Sequence, residues 1–264
     1  MLKIDKLFEV LDEFAPIELS HKLIEQGDYD NSGILIREHE EVNRVLFSLD
    51  FSIKAVQTAK RLKCDTIVTH HPAIYKPLSV IDGQIQSSRA LLESMKAKMN
   101  VISMHLNLDV ASGGIDACLC SALGGEKYKI LEPIDQKNGY GREFIINGIT
   151  LEELVKRAKK NLKTTKVTVY GKRKMPLKKG ASFCGGGASH AQHAVEYLKT
   201  DADVIITSDL PHHVITSLVE SGKCLIILTH YSSENYGFSK FFEKTKKALN
   251  NKAETFYFED KRFL

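Results

Sequence analysis

Tryptophan is absent from this chain of 264 residues, and proline (six) and cysteine (five) are sparse. No apolar run approaches the length needed to span a bilayer, which argues against a membrane protein. The opening Met1-Leu2-Lys3-Ile4-Asp5-Lys6 lacks the continuous apolar core of a signal peptide. The cysteines, at 64, 118, 120, 184 and 224, are odd in number and scattered; Cys118 and Cys120 form C-x-C, not C-x-x-C. That excludes a disulfide framework and a thiolate zinc knuckle, and it points to reduced, buried thiols in the cytoplasm. Acidic residues are missing from Lys156 to Lys179, which holds eleven Lys and Arg. The rest of the chain then carries 26 of the 37 basic residues against all 33 acidic ones, a net −7. Such a stretch reads as a solvated helix face followed by a lysine-rich loop. No run of stacking aromatics is interleaved with it, which argues against nucleic acid as a partner.

Histidine, in contrast, is placed with a pattern. Three apolar, β-branched runs end on it: Thr66-Ile67-Val68-Thr69-His70-His71, Val101-Ile102-Ser103-Met104-His105 and Leu225-Ile226-Ile227-Leu228-Thr229-His230. A carboxylate follows four residues later in two cases, His105 with Asp109 and His230 with Glu234. If the runs are parallel strands of one sheet, their ends share the crevice where α/β folds bind ligands. Four imidazoles and two carboxylates in one crevice suit two divalent ions such as Zn, Mn or Fe. Two ions about 3.5–4 Å apart can share a nucleophilic hydroxide and stabilise a leaving group. Adjacent residues of a regular strand face opposite ways, so His70 and His71 need a turn, which Pro72 favours. His213, after Pro211 at a helix start, is a candidate proton donor. Asp209, after a strand end, is a candidate to orient a histidine.

Periodicity predicts an α/β fold of two interlocked lobes with mainly parallel sheets. Helices are expected at Lys3–Phe14, Ile53–Leu62, Ser87–Lys98, Ile115–Leu123, Thr150–Leu162, Ala188–Leu198, from Pro211 to about Gly222, and at Phe238–Leu249. The strands expected are Ile34–Arg37, Arg44–Leu49, Thr66–Thr69, Val101–Met104, Val167–Tyr170, Ala181–Cys184, Val204–Thr207, Leu225–Leu228 and Thr255–Phe258. Thr150 and Glu153 read as a capping box. The stretch from Glu126 to Gly141 reads as less ordered. One lobe is expected over about 1–125 plus 224–264 and the other over about 126–223, within a single unit of 1–264.

Several further elements complete a pattern: Asp30-Asn31-Ser32-Gly33, Thr69-His70-His71-Pro72 with Lys76-Pro77-Leu78, His105-Leu106-Asn107-Leu108-Asp109, Gly113-Gly114, Cys184-Gly185-Gly186, Thr207-Ser208-Asp209 with His213, and His230-Tyr231-Ser232-Ser233-Glu234. In this order they resemble the GTP cyclohydrolase I type 2 homolog family, the Nif-three-like proteins, over essentially the full chain. The resemblance implies the Nif-three-like fold and a dinuclear metal site on His70, His71, Asp109, His230 and Glu234, with His105 a ligand or close partner. It also implies a toroidal homohexamer. The chain departs from the family's usual pattern at Tyr29, where tryptophan is usual, at Ser208, where glycine is usual, and in Gly185-Gly186-Gly187-Ala188-Ser189-His190. The reading that follows is a metal-dependent hydrolase acting on a nucleotide or related phosphorylated compound, with Glu234 and His213 as catalytic groups. The competing reading is a non-enzymatic metal-binding oligomer with a regulatory or interaction role.

Overall fold

A computed structural model describes residues 2–125, 127–146, 148–186 and 200–264. The helix predicted over Ala188–Leu198 lies outside the described residues, as do His190 and His193. The chain forms two compact units, Met1–Ala111 with Phe238–Glu259, and Ser112–Gly237 with Asp260–Leu264.

The first unit holds β1 (Leu2–Lys3), α1 (Ile4–Phe14), α2 (Ile17–Glu25), β2 (Gly33–Ile36), β3 (Glu41–Val42), β4 (Arg44–Ser48), α3 (Ile53–Arg61), β5 (Thr66–Thr69), α4 (Gln86–Lys96), β6 (Asn100–Ser103) and α5 (Leu106–Val110). Its second segment ends in β13 (Glu254–Phe258). The five-stranded sheet runs β13-β4-β5-β6-β2. The first four are mutually parallel and β2 is antiparallel on β6. Every residue of β5 and β6 is buried, as the near-continuous apolar runs require of strands covered on both faces. Leu46 and Ile67 pack against Val56 and Ala59 of α3 and Ala90 of α4 in one apolar cluster. Two predicted strands thus sit side by side in register, Thr69 opposite Ser103, and release His70 and His105 at the same sheet end.

The second unit holds α6 (Ile115–Ala122), β7 (Tyr128–Pro133), β8 (Gly139–Ile145), α7 (Leu151–Asn161), β9 (Val167–Tyr170), β10 (Lys179–Ser182), β11 (Val204–Thr207), α8 (His212–Glu220) and β12 (Cys224–Leu228). Helix α9 (His230–Leu249) begins in this unit, and the division between units falls inside it. The six-stranded sheet runs β7-β8-β10-β11-β12-β9, with β10, β11 and β12 parallel and the rest antiparallel.

Three expectations are corrected. The third histidine-ended run, β12, is not in the sheet of β5 and β6; it pairs with β11 and β9. A buried strand reads alike in any sheet, because periodicity reports burial and not neighbours. The stretch from Glu126 to Gly141 is not loose: β7 and β8 form an antiparallel pair there. Edge strand β7 is half-exposed and polar, so its apolar signal is weak. Lobe boundaries near 125 and 224 also fail, since α6 and β12 both belong to the second unit.

The thiols match their expected state. All five cysteines are reduced thiols, and four are buried. Burial pushes the Cys64 thiol up to about 11 and the Cys120 thiol up to about 12, so neither is a thiolate at neutral pH. No helix among the described residues is long and apolar enough to cross a membrane.

Candidate metal centre

In the first unit the chain leaves β5 and turns at once. The N–H groups of His70 and His71 both donate to the carbonyl of Leu49, at 3.1 and 3.0 Å. Two successive amides aimed at one oxygen break the strand alternation. The two rings therefore come to 4.8 Å between centroids instead of facing apart. Thr69 Oγ1 donates to the His71 carbonyl at 2.8 Å and secures the turn. His105 leaves β6 one residue later and precedes the first turn of α5. Its ring lies 5.2 Å from that of His70 and 5.8 Å from that of His71. One nitrogen from each of His70, His71 and His105 can be chosen so that all three lie within 4.8 Å of one another.

Each ring has one nitrogen committed. His70 Nδ1 lies 2.8 Å from the Met104 carbonyl, His71 Nδ1 2.7 Å from Asp50 Oδ1, and His105 Nδ1 2.7 Å from Asp30 Oδ1. A carbonyl only accepts, so Nδ1 of His70 carries the proton and Nε2 of the neutral ring presents a lone pair. That Nε2 sits 3.4 Å from Asp109 Oδ1, with His70 fully buried and Asp109 6% exposed. A cation shared between this nitrogen and the carboxylate oxygen would be accepted by both. Three clustered imidazoles beside a carboxylate suit a borderline divalent ion. The donor set therefore fits a metal, and the Nδ1 contacts are the outer partners that fix tautomer and ring angle in metal sites.

Asp30 is prepared for that role. Its Oδ2 accepts from Ser20 Oγ at 2.5 Å and Ser32 Oγ at 2.7 Å. Burial pushes its carboxyl up, but the hydrogen bond and charge of His105, with the two hydroxyls, outweigh burial and hold it below the usual carboxylate range.

The second unit contributes a separate pair. His230 opens α9 and Glu234 follows one turn later, with Nε2 and Oε1 3.0 Å apart. Glu234 is 2% exposed. His230 Nδ1 binds Asp209 Oδ2 at 2.5 Å. Asp209 adopts φ +50°, a left-handed conformation that aspartate tolerates better than most residues. The structure thus places Asp209 where the sequence suggested. The turn before α9 is held by Thr229, whose Oγ1 accepts from the Ser232 N–H at 3.1 Å.

His213 lies exposed beside His212 in the first turn of α8, and neither joins a candidate ligand group among the described residues. Tyr231 is packed: it is buried, and its hydroxyl accepts from the Asp260 N–H at 2.7 Å. Sequence reasoning gave Asp30 no role and overlooked Asp50. Asp50 lies two residues past β4, the strand that the structure pairs with β5.

Histidine and carboxylate donors at the ends of strands, braced by further carboxylates, define an α/β protein equipped to bind metal. The family model for Duf34/NIF3 (NGG1p interacting factor 3) matches residues 2–262, and the chain belongs to that family. It is 27% identical over 257 residues to a GTP cyclohydrolase 1 type 2 homolog of Clostridium perfringens, covering 96% of this chain and 95% of the relative. Reduced HcgD from Methanocaldococcus jannaschii has the same fold at TM-score 0.82 and 26% identity, with 98% of each chain covered. A Bacillus cereus protein related to NIF3 aligns at TM-score 0.86 and 16% identity, over 98% of this chain and 97% of its own.

Proposed function

We propose that the protein holds two divalent metal ions on His70, His71, His105, Asp109, His230 and Glu234, and uses them to hydrolyse a nucleotide or related phosphorylated compound. The observation that carries this reading is the cluster of His70, His71 and His105, whose Nδ1 atoms are engaged by a carbonyl and two carboxylates. The order of motifs shared with the family supports extending the set to His230 and Glu234. Divalent ions held there supply Lewis acidity and bring the ionisation of water towards neutral pH. Asp30, Asp50 and Asp209 hold the imidazoles at fixed angles. Glu234 takes up a proton from the attacking water, and His213 returns one to the leaving group. The relatives' name, GTP cyclohydrolase 1 type 2 homolog, supports a purine nucleotide as the first substrate to try. The protein works in the cytoplasm as a homohexamer; the exposed apolar side chains of Leu78, Val80, Ile81 and Ile85 support self-association.

A second reading keeps the ions and drops turnover. The deciding experiment pairs elemental analysis of protein purified without chelator with turnover of GTP and a generic phosphodiester. The hydrolase reading expects about two ions per chain and activity that disappears in His71→Ala. Metal without turnover of either compound supports the second reading.

A further inference from the structure

The loop after β10 in the second unit carries more anchoring than a turn requires. Four consecutive backbone polar groups of Cys184 and Gly185 are held by side chains. The Cys184 N–H donates to Asp116 Oδ1 at 3.2 Å, and the Cys184 carbonyl accepts from the Tyr140 hydroxyl. The Gly185 N–H donates to Ser233 Oγ at 2.9 Å, and the Gly185 carbonyl accepts from Ser208 Oγ at 2.6 Å. Behind Asp116 stands Arg142, fully buried, with Nη1 2.9 Å from Asp116 Oδ2. Ser233 also donates to the His230 carbonyl at 2.7 Å, so one hydroxyl ties the loop to the first turn of α9.

The pinned loop brings Gly185 against the carboxylate of Glu234. Gly185 has φ +55°, and a Cβ there would lie 2.0 Å from Glu234 Oε1, 3.2 Å from its Cδ and 3.5 Å from His230 Nε2. No real Cβ tolerates the first distance. The oxygen that Gly185 crowds is the one 3.0 Å from His230 Nε2. With the loop anchored at four points and Glu234 2% exposed, an added methyl group displaces the carboxylate, not the backbone.

We infer that Gly185 is a positioning residue for the metal centre: its bare Cα is the wall that sets the rotamer in which Glu234 turns Oε1 toward His230, with Ser208 and Ser233 holding that wall in place. This rests on the reading of His230 and Glu234 as ligands. It also gives the glycine of this loop a steric task, its N–H being already given to Ser233.

The test exploits two other glycines of the same unit. Gly148 (φ +67°) and Gly222 (φ +82°) are equally left-handed, but a Cβ on either meets nothing within 4 Å. Alanine at all three positions therefore carries a similar backbone penalty, and only Gly185→Ala adds the clash. Co²⁺ is titrated into the full-length protein and each variant, following affinity by calorimetry and ligand geometry by the visible d–d bands. Gly185→Ala is expected to lose about 10- to 100-fold in affinity and to change its band pattern, while Gly148→Ala and Gly222→Ala match the parent. Ser233→Ala, which loosens the wall without adding an atom, is expected to lose about tenfold, and it serves if Gly185→Ala does not fold. Parental affinity and bands in Gly185→Ala or, should that fail to fold, in Ser233→Ala overturn the inference alone. A parent protein that takes up no Co²⁺ overturns the metal reading itself, and the inference with it.

Discussion

His70, His71, His105 and His230 share one habit: each gives Nδ1 to a carbonyl or an aspartate. Removing such a partner leaves the ring in place but free to turn. Asp50→Asn and Asp30→Asn should each weaken metal binding about tenfold without unfolding the protein, as competition with a chromophoric chelator would show. His71→Ala should cost more, because it removes a donor atom. The four candidate histidines were legible because each follows an apolar strand. Asp30 and Asp50 were not, because a carboxylate near a strand end looks like any solvated turn residue until a ring is seen against it. The Asp116–Arg142 pair was equally invisible, its members being 26 positions apart and both fully buried. Burial pushes the Asp116 carboxyl up to about 6, against the pull of Arg142 and of the Cys184 and Gly141 N–H groups. A raised carboxyl binds its proton more tightly folded than unfolded, so this group's contribution to stability falls as pH rises from about 4 to about 6 and is level above. The urea midpoint at pH 7 minus that at pH 4.5 should therefore be more positive in Asp116→Asn than in the parent. Arg142→Met, which strands a buried carboxylate, should cost about 3–5 kcal/mol in urea unfolding, and the double variant should recover part of it.

Elements with strong local chemistry were read correctly. Thr150 and Glu153 form the predicted capping box, with the Thr150 N–H donating to Glu153 Oε2 at 2.7 Å and the Glu153 N–H to Thr150 Oγ1 at 3.3 Å. Thr150→Ala should cost about 1 kcal/mol, measured as a lower urea midpoint with an unchanged slope. Strands β5 and β6 were equally plain, since four buried residues in a row leave little ambiguity. What failed was pairing. Nothing in Leu225–Leu228 says that its neighbours are β11 and β9, because that choice is made by contacts far along the chain. Helix α2 also escaped: Pro16 reads as an end to helix, yet it precedes a second one as its cap residue.

For the molecule as a whole, a bound ion stabilises only the state that binds it. Chelation should lower the thermal midpoint by several degrees and replacement of Zn²⁺ or Mn²⁺ should restore it, the size following the ratio of free metal to its dissociation constant. An unchanged midpoint, with the metal verifiably removed, would deny the ions any part in holding the fold. The α/β class and the family were readable from end to end because motif order survives where pairing cannot be seen. The order of the sheet β13-β4-β5-β6-β2 has a further bearing on how the protein is made. The ribosome delivers Arg44–Ser48 long before its flanking partner Glu254–Phe258. Throughout synthesis of the intervening residues, the nascent sheet presents an unpaired flank of Val45, Leu46 and Phe47 to whatever else is emerging. A chain halted just before Glu254 should accumulate in inclusion bodies, and adding the missing residues as a separate peptide during refolding should return it to solution.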